Sequence, residues 1–260
     1  MRAKRRAAWV AAGAIGVTVA FLALVLSPAA APLALASVDG QPAHRRTIQW
    51  YDFTRGAEGS FSVVVPVEAF ERARADTLTR ARILLGDDAA YAELVNLRSG
   101  AIRAVAAELR QVARGDDELF ANLALQVAHQ TVYRSTFAPR SAVETLVEGA
   151  GDCDTFVVLV ASILRAGGLP VVLLLYRPQI GLLSFREGHM QVAVGLDEPP
   201  RLLPRASAHA NYVQHEGTAY YVAETTLRPG FNEEWRTGWR VGQAGAPRGF
   251  AGPDVVIPVP

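Results

Sequence analysis

The chain has 260 residues, half of them hydrophobic, and a net charge of +1, which is enough apolar material for one sizeable core. Four of its 26 basic residues (Arg2, Lys4, Arg5, Arg6) precede the first acid, Asp39, so the remainder is slightly acidic. With no basic block interleaved with aromatics, a nucleic-acid surface is excluded.

From Ala7 to Leu26 the chain carries no charge and is almost wholly apolar. About 20 such residues span a bilayer as a helix, and the basic cluster before them orients that end toward the cytoplasm. Ala34-Leu35-Ala36 offers the small-residue site of a cleavable signal, with secretion as the alternative. The apolar run is long for a signal segment, so a single-pass anchor with the domain outside the membrane is expected. The expected organisation is an anchor or signal over 1–36, a hairpin and helical part over 37–140, and a core over 141–260.

Ala29 to Arg46 is rich in Ala and Pro and reads as a linker. Thr47–Phe53 and Ser60–Val65 read as a β-hairpin that ends before Pro66, which has no N–H to give a ladder. Helical spacing follows over Glu68–Leu85, over Ala101–Ala113 up to Gly115, and from Asp116-Asp117 to about Val132. Pro139 and Ser141 open a short helix through Glu148. Asp152 reads as the N-cap of a helix over Cys153–Arg165 that Gly167-Gly168 ends. The pattern then turns to strands: Pro170–Tyr176, a continuous apolar run, then His189–Leu196 and Thr218–Thr225. The stretch after Pro229, rich in Gly, Pro and Trp, is expected to wrap the surface. Helices followed by strands indicate an α+β fold in which N-terminal helices pack on an antiparallel sheet.

Cys153 is the only cysteine. An internal disulfide is therefore impossible, and the thiol is partner-seeking, reactive or buried. A glycine-rich turn before it and an apolar helical run after it place the sulfur at a helix start, where unpaired N–H groups and the helix dipole stabilise a thiolate. His189 opens one strand and Glu224 lies near the end of another. A cysteine hydrolase needs a thiolate, an imidazole to take and return its proton, and a third group to orient that imidazole. Asp152 and Asp154 beside the cysteine read as capping and dipole-complementing acids. With one Cys and five scattered His, no metal site is expected, and no cofactor motif is present. His44, His209 and His215 lie in loop-like sequence and are expected to be solvated. Trp235 and Trp239, with Arg236 and Arg240, read as a packed C-terminal flap, with a substrate groove as the alternative.

Glu144-Thr145-Leu146, Gly151-Asp152-Cys153-Asp154, Leu159–Leu164, Gly188-His189-Met190 with Ala193-Val194-Gly195, and Tyr221 to Glu224-Thr225-Thr226 together resemble the transglutaminase-like cysteine protein superfamily, closest to its prokaryotic branch with an N-terminal membrane segment. The resemblance covers Trp50 to Gly242 and is strongest from Val143 to Thr226. It implies a papain-like core with Cys153 as nucleophile, His189 as general base and acid, and Glu224 behind the imidazole. Thr155 departs from the acid common at its position, which puts one local hydrogen bond in question. For the oxyanion, helix geometry offers the Cys153 backbone N–H. The resemblance adds a side-chain donor from the preceding helix: Gln126, His129 or Gln130, with His129 at the place where a Gln is common. The implied activity is cleavage of an amide in a protein or peptide substrate through a thioester, with water as the acceptor. The alternatives are a protein-crosslinking acyl transferase and a non-catalytic binding module on the same fold.

Overall fold

Apolar residues on both faces of three consecutive strands require cover on both sides, and that requirement organises the molecule. The structure, a computed structural model, describes residues 35–38, 41–180, 185–204, 207, 209–227, 235–236 and 238–260. The apolar segment 7–26 lies outside the described residues. Among those described, no helix is long and apolar enough to cross a membrane.

The first elements among the described residues form an antiparallel three-stranded sheet, β1 (Leu35–Val38), β2 (Gln41–Asp52) and β3 (Ala57–Pro66), in that order. Five helices follow: α1 (Val67–Arg74), α2 (Thr77–Leu84), α3 (Ala90–Leu94), α4 (Gly100–Ala113) and α5 (Asp117–His129). A short bridge β4 (Val132–Tyr133), helix α6 (Ala142–Glu148) and the partner bridge β5 (Ala150–Gly151) lead to helix α7 (Cys153–Ala166). Then come β6 (Val171–Tyr176), the small pair β7 (Gln179–Ile180) and β8 (Phe185–Arg186), β9 (His189–Gly195), β10 (Tyr212–His215), β11 (Thr218–Ala223) and β12 (Val255–Pro258). The main sheet runs β10-β11-β9-β6-β12, antiparallel throughout. The fold is α+β.

Helix α7 shows why burial outweighs propensity. Its run Val157, Val158, Val160 is a poor helix former, yet every residue from Thr155 to Leu164 is buried. A helix that is apolar all round belongs inside, and each large side chain so buried contributes about 1.5–3 kcal/mol. Val171, Leu173, Met190, Val192 and Val194 turn one face of the sheet toward the core that holds α7, α5 and α4. Val172, Leu174, Tyr176, Ala193 and Val222 face the other way, where Phe250 and Val256 of the C-terminal stretch pack on them.

Several expected boundaries move. The stretch read as a linker contains β1 and the start of β2; Pro42 is tolerated there opposite Ser37 on the short outer pairing. The long helix expected over Glu68–Leu85 is two helices, because Asp76 stops the first and accepts the Thr79 N–H to cap the second. Helix α5 ends at His129 rather than near Val132, since the chain turns to pair β4 with β5. The C-terminal stretch does more than wrap: β12 adds an edge strand to β6. His44 is buried rather than solvated and meets the Phe70 ring edge-on, and His215 lies in β10.

Candidate active site

The nucleophile position is built by the loop before α7. Gly149 closes α6 in the left-handed conformation (φ 60°), beside the Arg46 guanidinium. At Gly151 a Cβ would sit 2.5 Å from the Thr155 Cγ2, so only glycine lets the chain pass this close to the first turn of α7. The 132–136 segment straps the loop in place. Val132 pairs with Ala150 and Tyr133 with Gly151, the Arg134 N–H donates to the Gly151 carbonyl (2.6 Å), and the Thr136 N–H and hydroxyl both donate to Asp152 Oδ2 (2.6 and 2.8 Å). Cys153 is then the first residue of α7 and half-buried. Its N–H is among the four at a helix start that have no intrahelical acceptor.

Asp152 occupies the N-cap position without capping: its carboxylate makes no bond to the helix backbone. It accepts instead from Thr136 and from the Thr155 hydroxyl (2.7 Å). Thr155 therefore supplies a local hydrogen bond at the very position in question. Burial works against the Asp152 charge, but the donors from Asp154, Thr155 and Thr136 hold its carboxyl below the usual range. Asp154 goes the opposite way. Burial, then the neighbouring Asp152, push it up to about 8, and the Tyr91 hydroxyl donates to its Oδ2 (3.1 Å). Two carboxyls in contact cannot both be charged, so Asp154 keeps the proton that Asp152 accepts.

Strand register brings the other groups in. Tyr176 of β6 pairs with His189, and Ala223 of β11 pairs with Val192, so Glu224, one residue past β11, comes level with the start of β9. The His189 Nε2–H donates to Glu224 Oε2 at 3.0 Å. Gln191, two residues along the same face, donates to the same oxygen (2.8 Å), and the Thr226 N–H donates to Oε1 (2.8 Å). The Tyr176 hydroxyl in turn donates to Gln191 Oε1 (2.8 Å). Burial opposes the Glu224 charge, but His189 and these donors keep its carboxyl below the ordinary value. The Cys153 side chain shares a cavity with the His189 ring and interacts with it electrostatically. Burial pulls the imidazole down, yet the cysteine sulfur and the Glu224 carboxylate outweigh it and push it up to about 10. Cys153, His189 and Glu224 thus come together in that order, the last two joined by a hydrogen bond, with 21% of the His189 side chain exposed and 9% of that of Glu224. Compared with known families and with characterised proteins, the chain matches no family model and no curated protein.

The three side-chain oxyanion candidates are committed elsewhere, and none lines the cavity at the sulfur. Gln126 exchanges both amide bonds with the backbone of Tyr51 (2.9 and 2.8 Å), and Gln130 does the same with Gln49 (2.9 and 2.8 Å). The two glutamines are four apart on α5 and their partners two apart on β2, spacings of about 6 and 6.8 Å, so the amides act as rungs of a false strand. His129, buried and pushed down to about 4 by that burial, donates to the Glu224 carbonyl (3.0 Å). It fixes the backbone of Glu224. Glu144, part of the sequence motif, closes a capping box with Ser141 and pairs with Arg80. Its role is structural.

Cys153 and His189 share a cavity of about 630 Å3 with Tyr91, Tyr133, Asp88, Glu187 and Arg177, the last paired to Asp88. Burial, then the nearby sulfur, push Tyr133 up to about 12. Sequence reasoning missed Gln191, Thr136 and Tyr91. Gln191 left a signal, a polar side chain inside an apolar strand; Thr136 and Tyr91 left none, because only the folded chain brings them to the first turn of α7.

Proposed function

We propose that the protein is a cysteine enzyme of the transglutaminase-like, papain-like type that cleaves amide bonds in protein or peptide substrates outside the cytoplasmic membrane, to which residues 7–26 anchor it. The observation that carries this reading is the line from the Cys153 sulfur through the His189 ring to Glu224 Oε2. Glu224 holds Nε2, which leaves Nδ1 for the sulfur and sets one tautomer and one ring orientation. The Cys153 thiolate attacks the carbonyl carbon, and the oxygen takes the charge beside the Cys153 N–H and the positive end of α7. The C–N bond breaks as Nδ1 gives its proton to the departing amine. Water then attacks the thioester, giving its proton back to Nδ1. The C–S bond breaks, releasing the carboxylic acid and restoring the thiolate.

The pH dependence of iodoacetamide labelling at Cys153 tests this on the full chain. Rapid labelling should persist well below the ordinary thiol pKa of about 8.5 and disappear in His189→Ala. An ordinary thiol profile, unchanged by that substitution, would replace the enzyme with a binding module.

A further inference from the structure

His189 is the wall between two cavities. The one described above contains Cys153. The second, about 420 Å3, touches His189, Gln191 and Glu224 from the other side and contains no part of the nucleophile loop. His189 is the single residue common to the two linings. In chemistry of the proposed kind, Nδ1 lies between the sulfur and the departing nitrogen, and the residue that carries this nitrogen runs on past the imidazole. A cavity that meets the imidazole but not the sulfur is placed for that residue's side chain.

The second cavity has a distinct character. Its walls are apolar, with Leu227, Trp239, Ala244 and Pro247. Glu224 is occupied by three donors. Besides His189 and Glu224, the charged group in the lining is Arg248, which is exposed and has no acidic partner among the described residues. The Thr226 hydroxyl also lies in this wall, shut off from solvent and without a hydrogen-bond partner among the described residues. The sulfur-side cavity has the reverse character, with Asp88, Asp152 and Glu187 against Arg177 and a protonated Asp154 beside Asp152. The cleft is therefore polar along its length, acidic on the acyl side and apolar with a cation on the amine side.

Resting on the reading of Cys153 and His189 as a catalytic pair, we propose that the Trp239 cavity is the leaving-amine subsite and takes an apolar or aromatic residue whose neighbouring carboxylate is met by Arg248. The carboxylate is either the terminal one of that residue or the side chain of an acid that follows it. The indole face and Leu227 desolvate the apolar side chain, and the guanidinium fork matches a carboxylate.

Product fragments test this without turnover. Calorimetric titration of the full chain in detergent would use phenylalanine, phenylalaninamide and phenylalanyl-aspartyl amide. Fragments of this size are expected to bind near roughly 1 mM. A carboxylate should improve affinity over phenylalaninamide about three- to tenfold; gain with phenylalanine identifies the terminal carboxylate, and gain with the aspartyl amide identifies a following acid. Arg248→Gln, a change at an exposed residue, should erase that preference. Trp239→Ala should weaken all three about tenfold or more, and Trp239→Phe should recover most of the loss. The subsite is overturned by no binding up to roughly 50 mM, by equal affinity for acid and amide, or by a preference that survives Arg248→Gln. Iodoacetamide labelling in the same samples separates the two readings: a reactive thiol without fragment binding removes the subsite alone, whereas binding beside an inert thiol removes the enzyme and the subsite's role with it.

Discussion

Asp154 and His189 hold their protons for opposite reasons, one because a charge is forbidden and the other because a charge is wanted. The two make separate predictions. The Asp154 carboxyl is raised from its unfolded value near 3.9 to about 8, so its stability contribution is complete at acid pH and is lost as pH climbs through 8. In Asp154→Asn, which stays neutral, thermal unfolding should fall less than in the parent between pH 5 and pH 9. His189, raised to about 10, contributes stability that is full below about 6.5 and disappears as pH passes 10. Glu224→Gln keeps a hydrogen-bond acceptor for the ring and removes the charge. It should lower the His189 pKa, read by NMR, by a unit or more, and slow Cys153 labelling at pH 6 about tenfold, with the fold intact. That Cys153, His189 and Glu224 come together was legible in the sequence, since each stands at a helix or strand boundary with telling neighbours. The state of Asp154 was not. It depends on burial in the folded chain and on contact with Asp152, which together outweigh the opposing hydrogen bond from Tyr91, 63 positions away.

Among the elements, most helices and strands could be read from period and caps, and the errors have two causes. Asp76 caps the Thr79 N–H and Pro42 pairs with Ser37, local contacts that the apolar period hides, whereas β12 pairs with β6, a partner that no local window contains. The glutamines of α5 show how such partners alter a reading. In sequence Gln126 was a candidate for polarising a carbonyl; in the fold its amide is the pairing partner of Tyr51. Gln126→Ala should therefore destabilise the protein by about 1–3 kcal/mol, because a backbone N–H and C=O lose their partners, while the rate of Cys153 labelling in the folded protein stays unchanged. A labelling rate that collapses with stability intact would return the residue to the chemistry. Gly151→Ala should affect both stability and labelling, pushing against the Thr155 and Phe156 side chains. It should cost about 1–3 kcal/mol and slow labelling at Cys153 together, by shifting the first turn of α7.

For the whole molecule, one core joins Ile48 and Val65 of the first sheet, Ile102 and Leu109 of α4, Leu159 of α7 and Leu173 of the main sheet. Urea unfolding followed by tryptophan fluorescence and by circular dichroism should give one coincident transition; two separated ones would show that residues 37–140 fold apart from 141–260. The first sheet adds a property of the molecule among its own copies. Beyond the short pairing with β1, no strand among the described residues covers the outer edge of β2, which in most proteins invites an intruding chain. At Gln49 and Tyr51 the donor and acceptor that an intruder would need are already occupied by the two glutamine amides. Where many copies crowd side by side, this edge gives no template for cross-chain β-pairing, so the molecules can stand close without polymerising.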